Sequence, residues 1–156
     1  MRYIFPGTKH TTDTLTLFWY DGDKRPPTDV KALIGKKYLE DQGSIYIGTE
    51  GVLYAPYIEP PVLLPADKFK DVKLPNPGGN DHYLQFVEAC RGNGKTSAPF
   101  DYSGPLTESV LLGCLATRFR DRLLEWDTER LTVTNVPEAN AFVRRPYRRG
   151  WEIPGL

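Results

Sequence analysis

The chain has 156 residues, of which 40% are hydrophobic and 26% charged. This is the composition of a folded protein long enough to bury a core, not of a disordered tract. Twenty basic and twenty acidic side chains give a formal net charge of zero, which removes a whole-molecule electrostatic case for nucleic acid. Two cysteines make no disulfide framework, and no run of about 18 apolar residues is present to span a membrane.

The first half alternates and turns often. Tyr3 to Phe5 reads as a short strand and Thr14 to Tyr20 as a better one. In the latter Leu15, Leu17 and Trp19 share one face, and Thr16, Phe18 and Tyr20 the other. Residues 24–43 are polar and irregular, with one helical turn expected near Val30 to Ile34. Ser44 to Gly48 and Val52 to Ala55 are expected as strands joined by a tight "GTEG" hairpin, its glycines supplying positive φ. Val62 to Leu64 fits an edge strand, where the preceding Pro60-Pro61 pair is tolerated.

The second half is helical in character. Asn80 can cap a helix that carries Tyr83, Phe86 or Val87 and Cys90 at helical spacing, with Gly92 at its end. The longest helix is expected over Pro105 to Leu123, with proline at its first position, and should be the most buried element. Cys90 and Cys114 fall on these helices and are expected as buried free thiols. Leu131 to Thr134 reads as a short strand. Asn135, Pro137 and Glu138 then form the pattern of a capping box, opening a helix to about Arg144. Strands first and helices second predict an α+β fold: an open-faced, mainly antiparallel sheet with helices packed on one face.

Chemistry-bearing patterns are sparse. A phosphate loop needs a strand, a glycine turn and a helix N-terminus; "GTEGVLYA" runs on into a strand and "NPGGND" lacks the full spacing. His10 and His82 stand in different contexts with no second ligand at i+4. Ser103 in "DYSGP" is not a nucleophile elbow. Glu125 and Asp127 beside Trp126 read as solvated carboxylates rather than an acid/base pair. The C-terminal run interleaves Arg144, Arg145, Arg148 and Arg149 with Phe142, Tyr147 and Trp151. Such a run could stack bases and hold phosphates, but with zero net charge it reads better as packing and local pairing.

Two stretches, "HYLQFVEACRGNGKTSAPFDYSGPLTESVLLGCLATRF" and "LEWDTERLTVTNVPEANAFVRRPYRRGWEI", together with "WYDG" and "GSIYIGTEGVLYAP", resemble the C-terminal domain of the Gfo/Idh/MocA oxidoreductases, relatives of glucose–fructose oxidoreductase and inositol dehydrogenase. The likeness spans nearly the whole chain, as a single domain over residues 1–156. In that family a Rossmann domain binds NAD(P), and the C-terminal domain is an open-faced sheet that builds the oligomer interface and the substrate side of the site. The resemblance implies a parent that oxidises a sugar or cyclitol. The family's dinucleotide fingerprint, its Glu-Lys-Pro segment and its histidine-bearing catalytic helix have no counterpart here. No catalytic, cofactor-binding or metal-ligating residue is therefore carried over, and no cofactor is expected on this chain alone.

The chain is accordingly expected to be a substrate-side and oligomerisation domain, an excised domain or a truncated reading frame, not catalytic by itself. The alternative is a stand-alone carbohydrate- or protein-binding module using Trp19, Tyr20, Tyr54 and Tyr57 as stacking surfaces. Thr16, Phe18 and Tyr20 are the expected partner face of a homo-oligomer. Trp126, Tyr147, Arg148 and Trp151 are the expected structural lock at the C-terminal end. Neither nucleic acid nor membrane is expected as a partner. The cytoplasm is the default location, although parents of this kind can carry an export signal.

Overall fold

The computed structural model describes residues 1–35, 38–75, 78–79 and 81–154. The protein is α+β, with helices and antiparallel strands, and the chain divides into two compact units: residues 1–18 with 80–156, and residues 19–79. Among the described residues the strands form three separate sheets, not the single sheet expected.

In the first unit β1 (Arg2–Pro6) pairs antiparallel with β2 (Thr14–Phe18), Tyr3 opposite Leu17 and Ile4 opposite Thr16. The connection closes with the Gly7 amide on the Asp13 carbonyl at 2.8 Å and the Thr8 amide on the Thr11 hydroxyl at 2.7 Å. In the second unit α1 (Thr28–Ala32) is one short helix, and β3 (Gly43–Ile47), β4 (Val52–Pro56) and β5 (Val62–Leu64) form a meander with β4 in the centre. The edge position expected for Val62 to Leu64 is thus observed. The β3–β4 turn closes with the Gly48 amide on the Gly51 carbonyl at 2.8 Å. Neither Gly48 nor Gly51 has positive φ. Gly51 is needed for space instead, because a Cβ there would stand 2.4 Å from the Leu64 carbonyl oxygen and 2.6 Å from the Phe69 ring. Central β4 supplies the buried side chains Val52 and Tyr54, and Ile34 is buried in the same unit. The Tyr54 hydroxyl donates to the Tyr38 carbonyl (2.9 Å) and accepts the Glu40 amide (3.1 Å), tying the segment before β3 to the centre of the sheet.

The first unit continues with α2 (His82–Cys90) and α3 (Phe100–Ala116). Asp81 caps α2, its carboxylate accepting the Tyr83 and Leu84 amides at 3.0 Å each, and Gly92 follows the helix at φ 82°. The expected cap, Asn80, lies outside the described residues. Helix α3 begins five residues before Pro105 and stops at Ala116. Its N-cap is Pro99, so Pro105 stands inside the helix. Pro105 is the sixth helical residue and has no amide to donate back to the Asp101 carbonyl, yet the helix runs on to Ala116. At the other end the Arg118 and Phe119 amides turn back to carbonyls three residues earlier, the tightening that closes helices. Only Gly113 and Leu115 of α3 are buried, so it is not the most buried element. Cys90 and Cys114 are exposed, not buried.

β6 (Trp126–Asp127) and β7 (Thr132–Val133) make a small hairpin. Asp127 organises its turn by accepting the Glu129 and Arg130 amides and pairing with the Arg130 guanidinium at 2.7 Å. Residues Pro137–Phe142 form a 3₁₀ helix in place of the expected α-helix to Arg144. Asn135 makes no capping box. Its side chain accepts the Glu125 amide (2.9 Å) and donates to the Leu123 carbonyl (2.9 Å), while Glu138 pairs with Arg122 at 2.7 Å. Leu115, Val133, Val136 and Ala139 are the buried centre of this unit, with Leu112, Phe119, Leu124, Trp126 and Val143 packed around it.

Candidate functional site

The first unit carries a groove of about 990 Å³ along α3. One wall is α3 itself, including Phe100, Gly104, Thr107, Leu111 and Cys114, with Arg118 two residues past its end, and the other holds Trp126, Leu131, Phe142 and Val143. The second wall stands where it does because the β6–β7 hairpin and the 3₁₀ helix are pinned to each other by Asn140. Its side-chain oxygen accepts the Val133 amide at 2.7 Å and the Thr132 hydroxyl at 2.9 Å, and its NH₂ donates to the Val133 carbonyl at 2.9 Å. Phe142 meets Phe119 edge-on at 6.0 Å and carries the Arg118 guanidinium 4.8 Å from its ring centre.

Glu108 is the polar centre of the groove. Its Oε1 accepts the Trp126 indole N–H at 2.5 Å and also the Thr128 hydroxyl. A carboxylate with two donors on one oxygen is a positioned acceptor, and here it fixes the indole plane against the core. The groove thus offers an apolar lining with one engaged carboxylate, one guanidinium and the Cys114 thiol. Among the described residues, no group of three or more His, Cys, Asp or Glu side chains comes together. His82 is exposed at the start of α2, tilted against Tyr83 at 4.1 Å.

The expected partner face divides between the two units. Thr16 and Phe18 lie on one face of the β1–β2 hairpin, opposite Ile4 and Arg2, and Phe18 is 56% exposed. Tyr20 belongs to the second unit. The other hairpin face bears Tyr3, Phe5, Leu15 and Leu17, and Tyr3 and Phe5 stack at 5.9 Å. A Cβ on Gly113 would stand 2.2 Å from the Tyr3 hydroxyl, so this face is the one turned to α3. Leu15 and Leu17 nonetheless remain exposed. Burial pushes the Tyr3 phenol up from its ordinary value, with a smaller contribution from the Cys114 thiol.

Of the expected lock residues, Trp126 sits against the core. Arg148 lies 4.6 Å over the Trp151 ring and Arg145 5.6 Å over Tyr147, on a tail whose aromatic rings are exposed. Of the expected stacking residues, Tyr54 is buried in the second unit and inaccessible to a sugar, while Tyr57 is exposed. Sequence reasoning missed Glu108 and Asn140 and gave Asn135 the wrong role. Their roles depend on partners 7 to 20 residues away, a range that local pattern does not reach.

No helix among the described residues is long and apolar enough to cross a membrane. Compared with known proteins, the chain matches no family model, no curated protein and no solved structure.

Proposed function

We propose that the chain is a non-catalytic association and substrate-side module of an NAD(P)-dependent sugar or cyclitol oxidoreductase. The observation that carries this reading is unburied surface. The chain presents 13454 Å² of accessible surface. Two separately folded, compact units of these sizes would present roughly 9,500 Å² together. The surplus includes large apolar side chains such as Phe18, Phe100 and Leu111, the mark of a protein that completes its burial against a partner. The ordered resemblance to the Gfo/Idh/MocA C-terminal domain names the kind of partner and chemistry. A nicotinamide must be held beside the substrate carbon for hydride transfer, and in this reading another domain holds it.

The test is a pair of titrations of the labelled chain followed by NMR. Myo-inositol or D-glucose should shift a contiguous set of amides saturably at millimolar concentration, and NADH should shift none at micromolar concentration. Absence of any sugar response removes the substrate-side role. Micromolar NADH binding removes the claim that the cofactor is held elsewhere.

The exposed Tyr38, Tyr46 and Tyr57 of the second unit favour a second reading, a stand-alone carbohydrate-binding module. In that case Tyr57→Ala should abolish retention on an immobilised polysaccharide while leaving the circular dichroism unchanged.

A further inference from the structure

The exposed face of α3 carries a spacing that reads the same in both directions. Phe100, Gly104, Thr107, Leu111, Cys114 and Arg118 follow one another at steps of four, three, four, three and four. These steps keep side chains on one side of a helix, and all six residues line the groove. The set is symmetric about Ser109. Inverting the helix about that point puts Phe100 opposite Arg118, Gly104 opposite Cys114, and Thr107 opposite Leu111.

The pairing is complementary at each level. Small residues meet at Gly104 and Cys114, where two backbones could come close. A Cβ on Gly104 would meet nothing within 4 Å, so the approach is open. Phe100 is 83% exposed and Leu111 60%, and each would gain a neighbour. Asp101 stands in the first turn and Arg118 just beyond the last, so an antiparallel partner brings carboxylate and guanidinium together at both ends. Antiparallel alignment also opposes the two helix dipoles, each N-terminus beside the partner's C-terminus. Glu108 is already engaged by the Trp126 indole and the Thr128 hydroxyl, which hold its side chain in place without neutralising it. The helix is about 25 Å long. Covering its seam and the Phe142 wall on both copies removes on the order of 1,000 Å², the lower edge of a specific interface.

We propose that the α3 groove binds α3 of a second copy of this chain, antiparallel and centred on Ser109. This surface is distinct from the Thr16 and Phe18 face, and the proposal does not depend on the oxidoreductase reading.

Cross-linking tests the register. In the full chain carrying Cys90→Ala and Gly104→Cys, mild oxidation should give a covalent dimer whose linked peptides join position 104 to Cys114. Cys90→Ala alone should give none, since the proposed register keeps the two Cys114 thiols apart. Leu106→Cys with Cys90→Ala, off the seam, should also give no covalent dimer. In sedimentation equilibrium, Leu111→Glu should weaken association by about tenfold or more with unchanged circular dichroism, and Thr107→Glu serves if that variant does not fold. A chain that stays monomeric at high micromolar concentration overturns the proposal. So do linked peptides joining only 104 to 104 or 114 to 114, which would mean parallel pairing.

Discussion

Two asparagines hold the C-terminal part of the first unit by imitating backbone. Asn140 presents an acceptor and a donor to the two polar groups of Val133, as a neighbouring strand would. Asn135 does the same across Leu123 and Glu125. Val133 is only 2% exposed, so removing the Asn140 amide strands its N–H away from water. Asn140→Ala should cost about 1–3 kcal/mol, read as a lower urea midpoint at unchanged slope, with Asn135→Ala at the lower end of that range. Gly113 gives a second test. Gly113→Ala gains about 1 kcal/mol of helix propensity but drives a methyl into the Tyr3 hydroxyl and the Met1 side chain. The variant should be destabilised, and Tyr3→Phe should recover part of the loss, a coupling measurable by a double-mutant cycle. Tyr3 also sets an alkaline limb. Its phenol is raised by burial, so the stability it contributes is whole below the unfolded pKa and is lost as pH rises through the folded one. Tyr3→Phe should flatten the stability profile above about pH 10.

The strands are legible in the sequence because alternation and turns are local. The β3–β4 hairpin, the edge strand β5 and α2 lie where apolar spacing and glycine place them, whereas α3 starts five residues before the expected Pro105 and ends seven before Leu123. Local pattern does not decide which elements share a sheet, since Thr14 to Phe18 pairs with β1 alone and β3–β5 form their own meander. The 3₁₀ helix is hidden for a related reason. Asn135 and Glu138 have the spacing of a capping box, but both side chains are drawn to partners more than nine residues away. Glycine in "GTEG" is necessary, as its pattern implies, but for space and not for φ. The two causes make different predictions. Gly51→Ala should destabilise the β3–β5 meander by about 1–3 kcal/mol through the clash with the Leu64 carbonyl and Phe69. Gly48→Ala, whose Cβ would stand 3.3 Å from the Gly51 carbonyl, should cost far less in the same denaturation experiment. The groove is only partly legible. Its first wall belongs to a helix expected from the sequence, but its second wall is tertiary.

At the scale of the whole molecule, acid should weaken both units together. Glu50 is held below the usual carboxylate range by hydrogen bonding to Lys68, Asp127 by the Arg130 backbone amide and side chain, and Glu138 by hydrogen bonding to Arg122. A lowered folded pKa stabilises above the unfolded value and stops doing so as pH falls through the folded one. Thermal midpoints should therefore fall below about pH 4, and Lys68→Met should remove the Glu50 share of that slope. The unburied surface described above has a thermodynamic consequence of its own. Heat capacity and denaturant sensitivity both follow the area newly wetted on unfolding. A chain already presenting 13454 Å² when folded has about a quarter less left to wet than compact units would. Calorimetry should find a correspondingly shallow heat-capacity step and a flat, broad stability curve. A partner that covered the exposed apolar side chains, as proposed above, should deepen both, so the curvature of the melting thermodynamics would serve as a gauge of its occupancy.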